Sequence, residues 1–282
     1  MIHPGLCSIG FSHASWSEVL SHAAQAALGG IEWSARHVAA GATTLAKEVG
    51  RQTRDAGFST CSYGSYYRAG IVQPDLSFEA VLDTALALGA PTVRIWAGNR
   101  DAEEVDDEQR ALIVKDVGRI AELAARAGVT VGFEYHHGTL TNSRQSTDRL
   151  MREIPHAAVR FYWQAPFGRS PHYCLDSLRR VLPRLAHLHV FHWTVGAEVI
   201  DDVQPPDLKS LIWPQDYHRH PLSDGAACWR TYLACAATSA TDHWALLEFT
   251  KDDDWRQLAE DARTLVALLS ISPAQRGPSI RA

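Results

Sequence analysis

The chain has 282 residues, 46% hydrophobic and 21% charged, with 19 glycines and 13 prolines. That excludes a small stapled scaffold, a coiled coil, a collagen and a disordered chain, and leaves one large α/β domain or two small ones. Lys and Arg number 27 against 32 Asp and Glu, for a formal charge of −5, and no basic stripe of the kind nucleic acid requires stands out. No apolar run approaches the roughly 18 residues that span a bilayer, and the opening M-I-H-P-G-L-C-S-I-G lacks the basic and apolar regions of a signal peptide. Cys7, Cys61, Cys174, Cys228 and Cys235 are odd in number and never spaced C-x-x-C. They read as small buried hydrophobes in a reducing, cytoplasmic compartment, not as a disulfide framework or zinc knuckle.

In chain order, β-rich runs alternate with helical patterns. The predicted strands are Leu6–Phe11, Gly30–Trp33, Phe58–Tyr63, Thr92–Trp96, Thr130–Glu134, Val159–Trp163, His187–Phe191 and Trp244–Phe249. Most are continuous Val/Ile/Leu/aromatic runs, as strands covered on both faces should be. The intervening helices are placed at Trp16–Leu28, Thr43–Ala56, Ser77–Leu88, Thr147–Ile154, Leu175–Leu182 and Trp229–Ala236. Two more have clear apolar faces: Ile113, Val117, Ile120, Ala121 and Ala124 between the Asp106–Gln109 cap and Gly128, and Trp255, Leu258, Ala262, Leu265, Val266 and Leu269 behind Asp252–Asp254. Eight βα units without an internal linker predict an α/β fold, a single (β/α)8 TIM barrel over residues 1–271, with 272–282 as a frayed tail. A doubly wound open sheet is the rival, but its Gly-rich phosphate turn is absent, since G-F-S-H-A-S-W follows the first strand.

In such a barrel, reactive groups gather at the carboxyl ends of the strands. Glu134, Gln164, His189 and Glu248 stand there on strands five to eight, separated by 30, 25 and 59 residues. Oxygen and imidazole donors on neighbouring strands, about 5 Å apart, suit a divalent ion. The surplus in the last interval predicts a long loop, containing D-Y-H-R-H-P-L-S-D-G, able to close over the site.

The stretches G-I-E-W, V-R-I-W-A-G, E-Y-H-H-G-T-L-T, H-V-F-H-W, R-H-P-L-S-D-G and L-L-E-F resemble the xylose isomerase-like barrels, in the branch of sugar phosphate isomerases and epimerases, hydroxypyruvate isomerases and inosose dehydratases. The resemblance implies one divalent ion (Mn2+, Mg2+ or Co2+) on Glu134, Gln164, His189 and Glu248, with Glu134 and Glu248 as acid/base groups. Gln164 replaces the family's usual Asp, and His192 the final Asp of its H-x-K-D. His220 matches the family's loop histidine or arginine.

The chemistry implied is proton abstraction next to a carbonyl of a sugar or related polyhydroxy ketone through a metal-stabilised enediolate, giving isomerisation or epimerisation. Loss of a β-hydroxyl, as in a dehydratase, and a non-catalytic sugar-binding barrel are the alternatives. His136 and Arg94 are candidate substrate contacts, Arg94 equally a buried ion pair, while Trp33, Trp96, Trp163 and Trp193, at or just beyond strand ends, could pack on a sugar face. Family practice implies a homo-oligomer. The endonuclease relatives use extra histidines at strands three and four, where this chain has Y-G-S-Y-Y-R and R-I-W-A-G-N. No nucleic-acid or membrane partner is expected.

Overall fold

The computed structural model describes residues 1–195 and 217–270; the expected tail 272–282 and part of the expected closing loop lie outside the described residues. Eight parallel strands close into a barrel: β1 (Ile2–Cys7), β2 (Gly30–Ser34), β3 (Ser59–Ala69), β4 (Thr92–Ala97), β5 (Thr130–Glu134), β6 (Val159–Trp163), β7 (Leu185–Val190) and β10 (His243–Leu247). They pair in the order β1-β10-β7-β6-β5-β4-β3-β2. Around them run α1 (Trp16–Gln25), α2 (Thr43–Asp55), α3 (Phe78–Leu88), α4 (Asp107–Arg126), α5 (Arg144–Glu153), α6 (Pro171–Val181), α7 (Ala226–Ala236) and α8 (Trp255–Ser270). The (β/α)8 architecture is the one expected. A two-stranded antiparallel sheet, β8 (His192–Val195) and β9 (Tyr217–His220), follows β7 and was not anticipated.

Local chemistry sets the boundaries. Ser15 and Glu18 form a capping box at α1, and Asp106 accepts the Gln109 N–H at α4. Helices α5 and α6 start earlier than their apolar periodicity suggests, because the caps Ser143 and Ser170, the latter followed by Pro171, lie before the first core residue. The first strand is also displaced: it runs over Ile2–Cys7, and Ser8–Phe11 forms a 3-10 turn. Strand β2 pairs with β1 only from Gly5 onward, so Pro4 sits where one neighbour suffices.

The large apolar cluster lies between strands and helices, with Phe11, Trp33, Phe78, Phe133, Trp163 and Leu265 fully or almost fully buried. Inside the barrel a smaller group, Cys7, Cys61, Tyr162, Ala186 and Leu246, packs together. Gly132 makes room for Tyr162, since a Cβ there would lie 2.4 Å from the ring. The barrel interior is thus left narrow, polar and charged towards its carboxyl end.

Candidate active site

Glu134 ends β5, His189 lies one residue before the end of β7, and Glu248 follows the last residue of β10. His189 Nδ1 is 3.3 Å from Glu134 Oε1 and 3.2 Å from Glu248 Oε2, and all three side chains are buried. Their donor atoms lie within 4.8 Å of one another. Gln164, one residue past β6, is buried and lines the same cavity as Glu134 and Glu248. Its Nε2 donates to the Tyr135 carbonyl at 2.9 Å. A carbonyl only accepts, so the amide is oriented and Oε1 is the end a cation could use.

Beneath this set lies a charged network that the sequence reading missed in part. Glu32, on β2, accepts Arg94 Nε at 2.8 Å and Ser62 Oγ at 2.6 Å, and Arg94 Nη1 donates to Glu134 Oε2. Arg94 is therefore a buried ion pair, 5% exposed, and not a substrate contact; its guanidinium is taken up by two carboxylates. Gly64 permits this, because a Cβ would stand 2.8 Å from both Arg94 Nη2 and Glu32 Oε1. Burial alone would raise the Glu134 and Glu32 carboxyls, but Arg94, with His189, holds both well below the usual range. Glu32 carried a sequence signal, an acid between Ile31 and Trp33 in a buried strand.

Whether these residues fit a divalent ion is decided by His189. Neither ring nitrogen makes a hydrogen bond, although carboxylate oxygens face both, Glu32 Oε1 lying 3.5 Å from Nε2. Burial would lower the pKa of the ring, but Glu248 and Glu32 hold it well above the ordinary imidazole value, so without a dication the ring is itself the cation that these carboxylates face. A dication between Nδ1, Glu134 and Glu248 would displace the Nδ1 proton and take over that charge, leaving Nε2–H towards Glu32 as a supporting contact. The charges agree: Glu32, Glu134 and Glu248 outweigh Arg94 by two negative charges when His189 is neutral. A dication cancels that excess. A second group, Cys7, Glu32 and His189, also clusters, but there Glu32 Oε1 already takes Arg94 Nε. Burial, then Glu32 and Glu248, keep Cys7 a thiol by pushing its pKa far up.

A cavity of about 430 Å3 opens above the set. Its polar side is Glu134, His136, His137, Gln164 and Glu248, and its other wall is Phe167, Phe191, Trp193, Tyr217 and Phe249 with Arg219. His136 thus stands at the cavity. Trp96 acts on Glu134 instead, its Nε1 donating to Oε2 at 2.7 Å. Trp33 is fully buried between barrel and helix, donating to Thr53 at 3.0 Å, and cannot meet a ligand. His192 and His220 are likewise not among the cavity's lining residues. They pair across the β8–β9 hairpin, with His220 Nε2 2.7 Å from Thr194 Oγ1 and His192 packed on Gly225. Side chains alternate along a strand, so the next pair, Trp193 and Arg219, takes the cavity face. Of the other two tryptophans expected near a sugar face, Trp193 lines the cavity, whereas Trp163 is fully buried and donates to Ser177 at 2.8 Å; Phe167, Tyr217, Arg219 and Phe249 were not singled out as ligand contacts, because the hairpin was not foreseen.

Comparison with known proteins agrees with this architecture. A curated relative, the 3-dehydroshikimate dehydratase of Bacillus anthracis, is 24% identical over 163 residues, 56% of this chain and 55% of its own length, so the match spans little more than half of that relative. The crystal structure of the probable 3-DHS dehydratase AsbF from Bacillus anthracis superposes with a TM-score of 0.74 at 20% identity, covering 94% of this chain and 99% of that one. A xylose isomerase-like TIM barrel protein from Mycobacterium smegmatis in complex with magnesium gives 0.66 at 14% identity, covering 98% of both chains. No helix among the described residues is long and apolar enough to cross a membrane. Residues 20–269 match the family described as xylose isomerase-like TIM barrel, and the chain belongs to that family.

Proposed function

We propose that this protein is a divalent-metal-dependent lyase that removes water from a polyhydroxylated ketone, starting with loss of a proton beside the carbonyl. The observation that carries this reading is the unequal engagement of the two cavity carboxylates. Glu134 Oε2 accepts both Arg94 Nη1 and Trp96 Nε1, and Oε1 faces His189. That leaves little room for a proton on Glu134. Glu248 takes no guanidinium or indole donor in its described contacts, only the Cys7 thiol at 3.6 Å and the His189 ring.

Acid/base work thus falls to one side of the substrate. Glu248 takes the proton next to the carbonyl and returns it to the departing β-hydroxyl, so that water leaves and the carboxylate is restored. A divalent ion held by Glu134, Gln164, His189 and Glu248 would supply Lewis acidity that polarises the carbonyl and acidifies the neighbouring C–H. Arg94 and Trp96 keep Glu134 ionised and aimed, and His136 and His137 border the polar end of the cavity. The similarity to a 3-dehydroshikimate dehydratase supports the same reading. Isomerisation or epimerisation is the second reading, favoured by Glu134 and Glu248 lining one cavity.

The test is elemental analysis of purified protein, followed by incubation with ketoses, keto-inositols and 3-dehydroshikimate in deuterated water with added Mn2+. Dehydration shows as loss of one water and of the hydrogen next to the carbonyl, with a new conjugated chromophore, all abolished in Glu248→Gln. Exchange with inversion and no loss of water establishes an epimerase. Ligand binding without exchange or bound metal leaves a binding protein.

A further inference from the structure

Strand β3 reads Y-G-S-Y-Y-R from Tyr63 to Arg68 and is bulged there. Gly64 pairs with Arg94 and Arg68 with Trp96, so Ser65, Tyr66 and Tyr67 stand opposite Ile95 alone. In an unbroken ladder Tyr66 would face Trp96; two extra residues put Arg68 there instead. The bulge is bonded throughout. Ser65 Oγ donates to the Arg94 carbonyl at 2.8 Å, Gln73 Nε2 to the Tyr66 carbonyl at 3.0 Å, and the Arg68 N–H to Gln73 Oε1 at 2.7 Å.

What the bulge delivers is a guanidinium over an indole. Arg68 Cζ lies 4.2 Å from the centre of the Trp96 ring, and its Nη1 donates to the Gly98 carbonyl at 3.2 Å. Tyr66 and His136 meet the same indole farther out, at 5.6 and 5.8 Å, and the Arg94 guanidinium stands 5.8 Å from it. At its edge the indole donates Nε1–H to Glu134 Oε2 at 2.7 Å. Trp96 is only partly buried, so that one hydrogen bond would leave the ring able to swing off the carboxylate. A cation over the ring opposes this twice. It is held by the negative face of the indole, and it polarises the ring so that the N–H becomes a stronger donor. Burial lowers the Arg68 pKa and Glu134 is the charge that opposes the shift, so the guanidinium already feels the carboxylate at the far side of the ring.

We infer that Arg68 is a positioning residue: it clamps Trp96 so that the indole N–H stays on Glu134 Oε2, and Oε1 of the same carboxylate stays turned to His189 and the cation. The inference rests on the lyase reading, in which Glu134 is the ionised ligand and Glu248 the base, and adds the residue that enforces this division. Arg68 is not among the residues lining the cavity, so its influence passes through Trp96. The sign of the effect is diagnostic. By its field alone, loss of a positive charge near the site would tighten the binding of a dication, whereas loss of the clamp weakens it.

The test joins two measurements: the Trp96 indole N–H resonance in 15N-labelled, metal-free protein, assigned by its disappearance in Trp96→Phe, and Mn2+ affinity by calorimetric titration. Arg68→Met should move the resonance upfield and weaken Mn2+ binding about 2- to 10-fold. Arg68→Lys, which keeps a charge over the ring, should retain most of both. In a Trp96→Phe background, Arg68→Met should weaken Mn2+ binding no further. An unmoved resonance in Arg68→Met overturns the clamp, as does tighter Mn2+ binding, or an equal loss of affinity with and without the indole. Absence of Mn2+ binding by the wild-type protein overturns the lyase reading, while the resonance, recorded without metal, still supports or overturns the clamp.

Discussion

Arg94 and Glu134 are 40 residues apart in sequence and almost wholly buried, yet Arg94 Nη1 reaches Glu134 Oε2 while Nε of the same guanidinium holds Glu32 at 2.8 Å. One cation is thereby shared by two carboxylates, and one of these is a candidate ligand of a second cation.

Removing that shared charge should be costly. Arg94→Met leaves two carboxylates buried without a cation, and we expect a loss of about 3–5 kcal/mol in the unfolding free energy measured with urea. An unchanged midpoint and slope would show that the pair does not hold the barrel.

Gly64→Ala attacks the same pair without changing any charge. The new Cβ meets Arg94 Nη2 and Glu32 Oε1 at 2.8 Å, and displacing them should destabilise the fold by about 1–3 kcal/mol. Dication affinity, read by titration, should fall as well, because Glu134 loses its anchor.

Metal dependence should be visible as stability. A dication at 100 times its dissociation constant adds about 2.7 kcal/mol, so Mn2+ should raise the thermal midpoint and a chelator should reverse the shift. His189→Asn should abolish the response. Gln164→Asp, which restores a negative ligand, should lower the Mn2+ dissociation constant at least about tenfold, the effect of roughly 1.4 kcal/mol.

Acid should unfold the protein through its buried histidines. Burial, against the pull of Glu32 and with help from the nearby His243, holds His187 down at about 4, and its Nδ1 accepts the Trp244 N–H at 3.3 Å, which requires the neutral ring. Burial also depresses His243. The unfolded chain then binds more protons than the folded one between pH 4 and 6.5. Stability should be full above pH 6.5 and fall as the pH drops to 4, by about 3 kcal/mol for His187 alone. Urea midpoints across that range, flattened in His187→Phe, provide the check.

The staves and the four proposed ligands stand out in the sequence because a closed parallel barrel writes itself as continuous apolar runs with polar residues at their ends. The first strand was read late because His3, Pro4 and Gly5 hide a strand that pairing with β10 imposes. Glu32 and Arg94 were visible as charges inside buried strands, but their partnership spans 62 residues and no local pattern announces it. Trp33, on β2, and Trp96, on β4, each sit one residue before a strand end and look equivalent in sequence. Only packing separates a ring bonded to helix α2 from one bonded to a carboxylate. The histidines of the hairpin drew attention through their chemistry, whereas strand alternation turned their neighbours, Trp193 and Arg219, towards the cavity.

The β8–β9 hairpin bonds to itself and not to the barrel's own ladder. Reactivity and admission are therefore inherited through different parts of the chain. Mutations that recast Trp193 or Arg219 can retune which molecules enter while the reagents beneath stay in register, so a lineage can diversify its diet without relearning its trade.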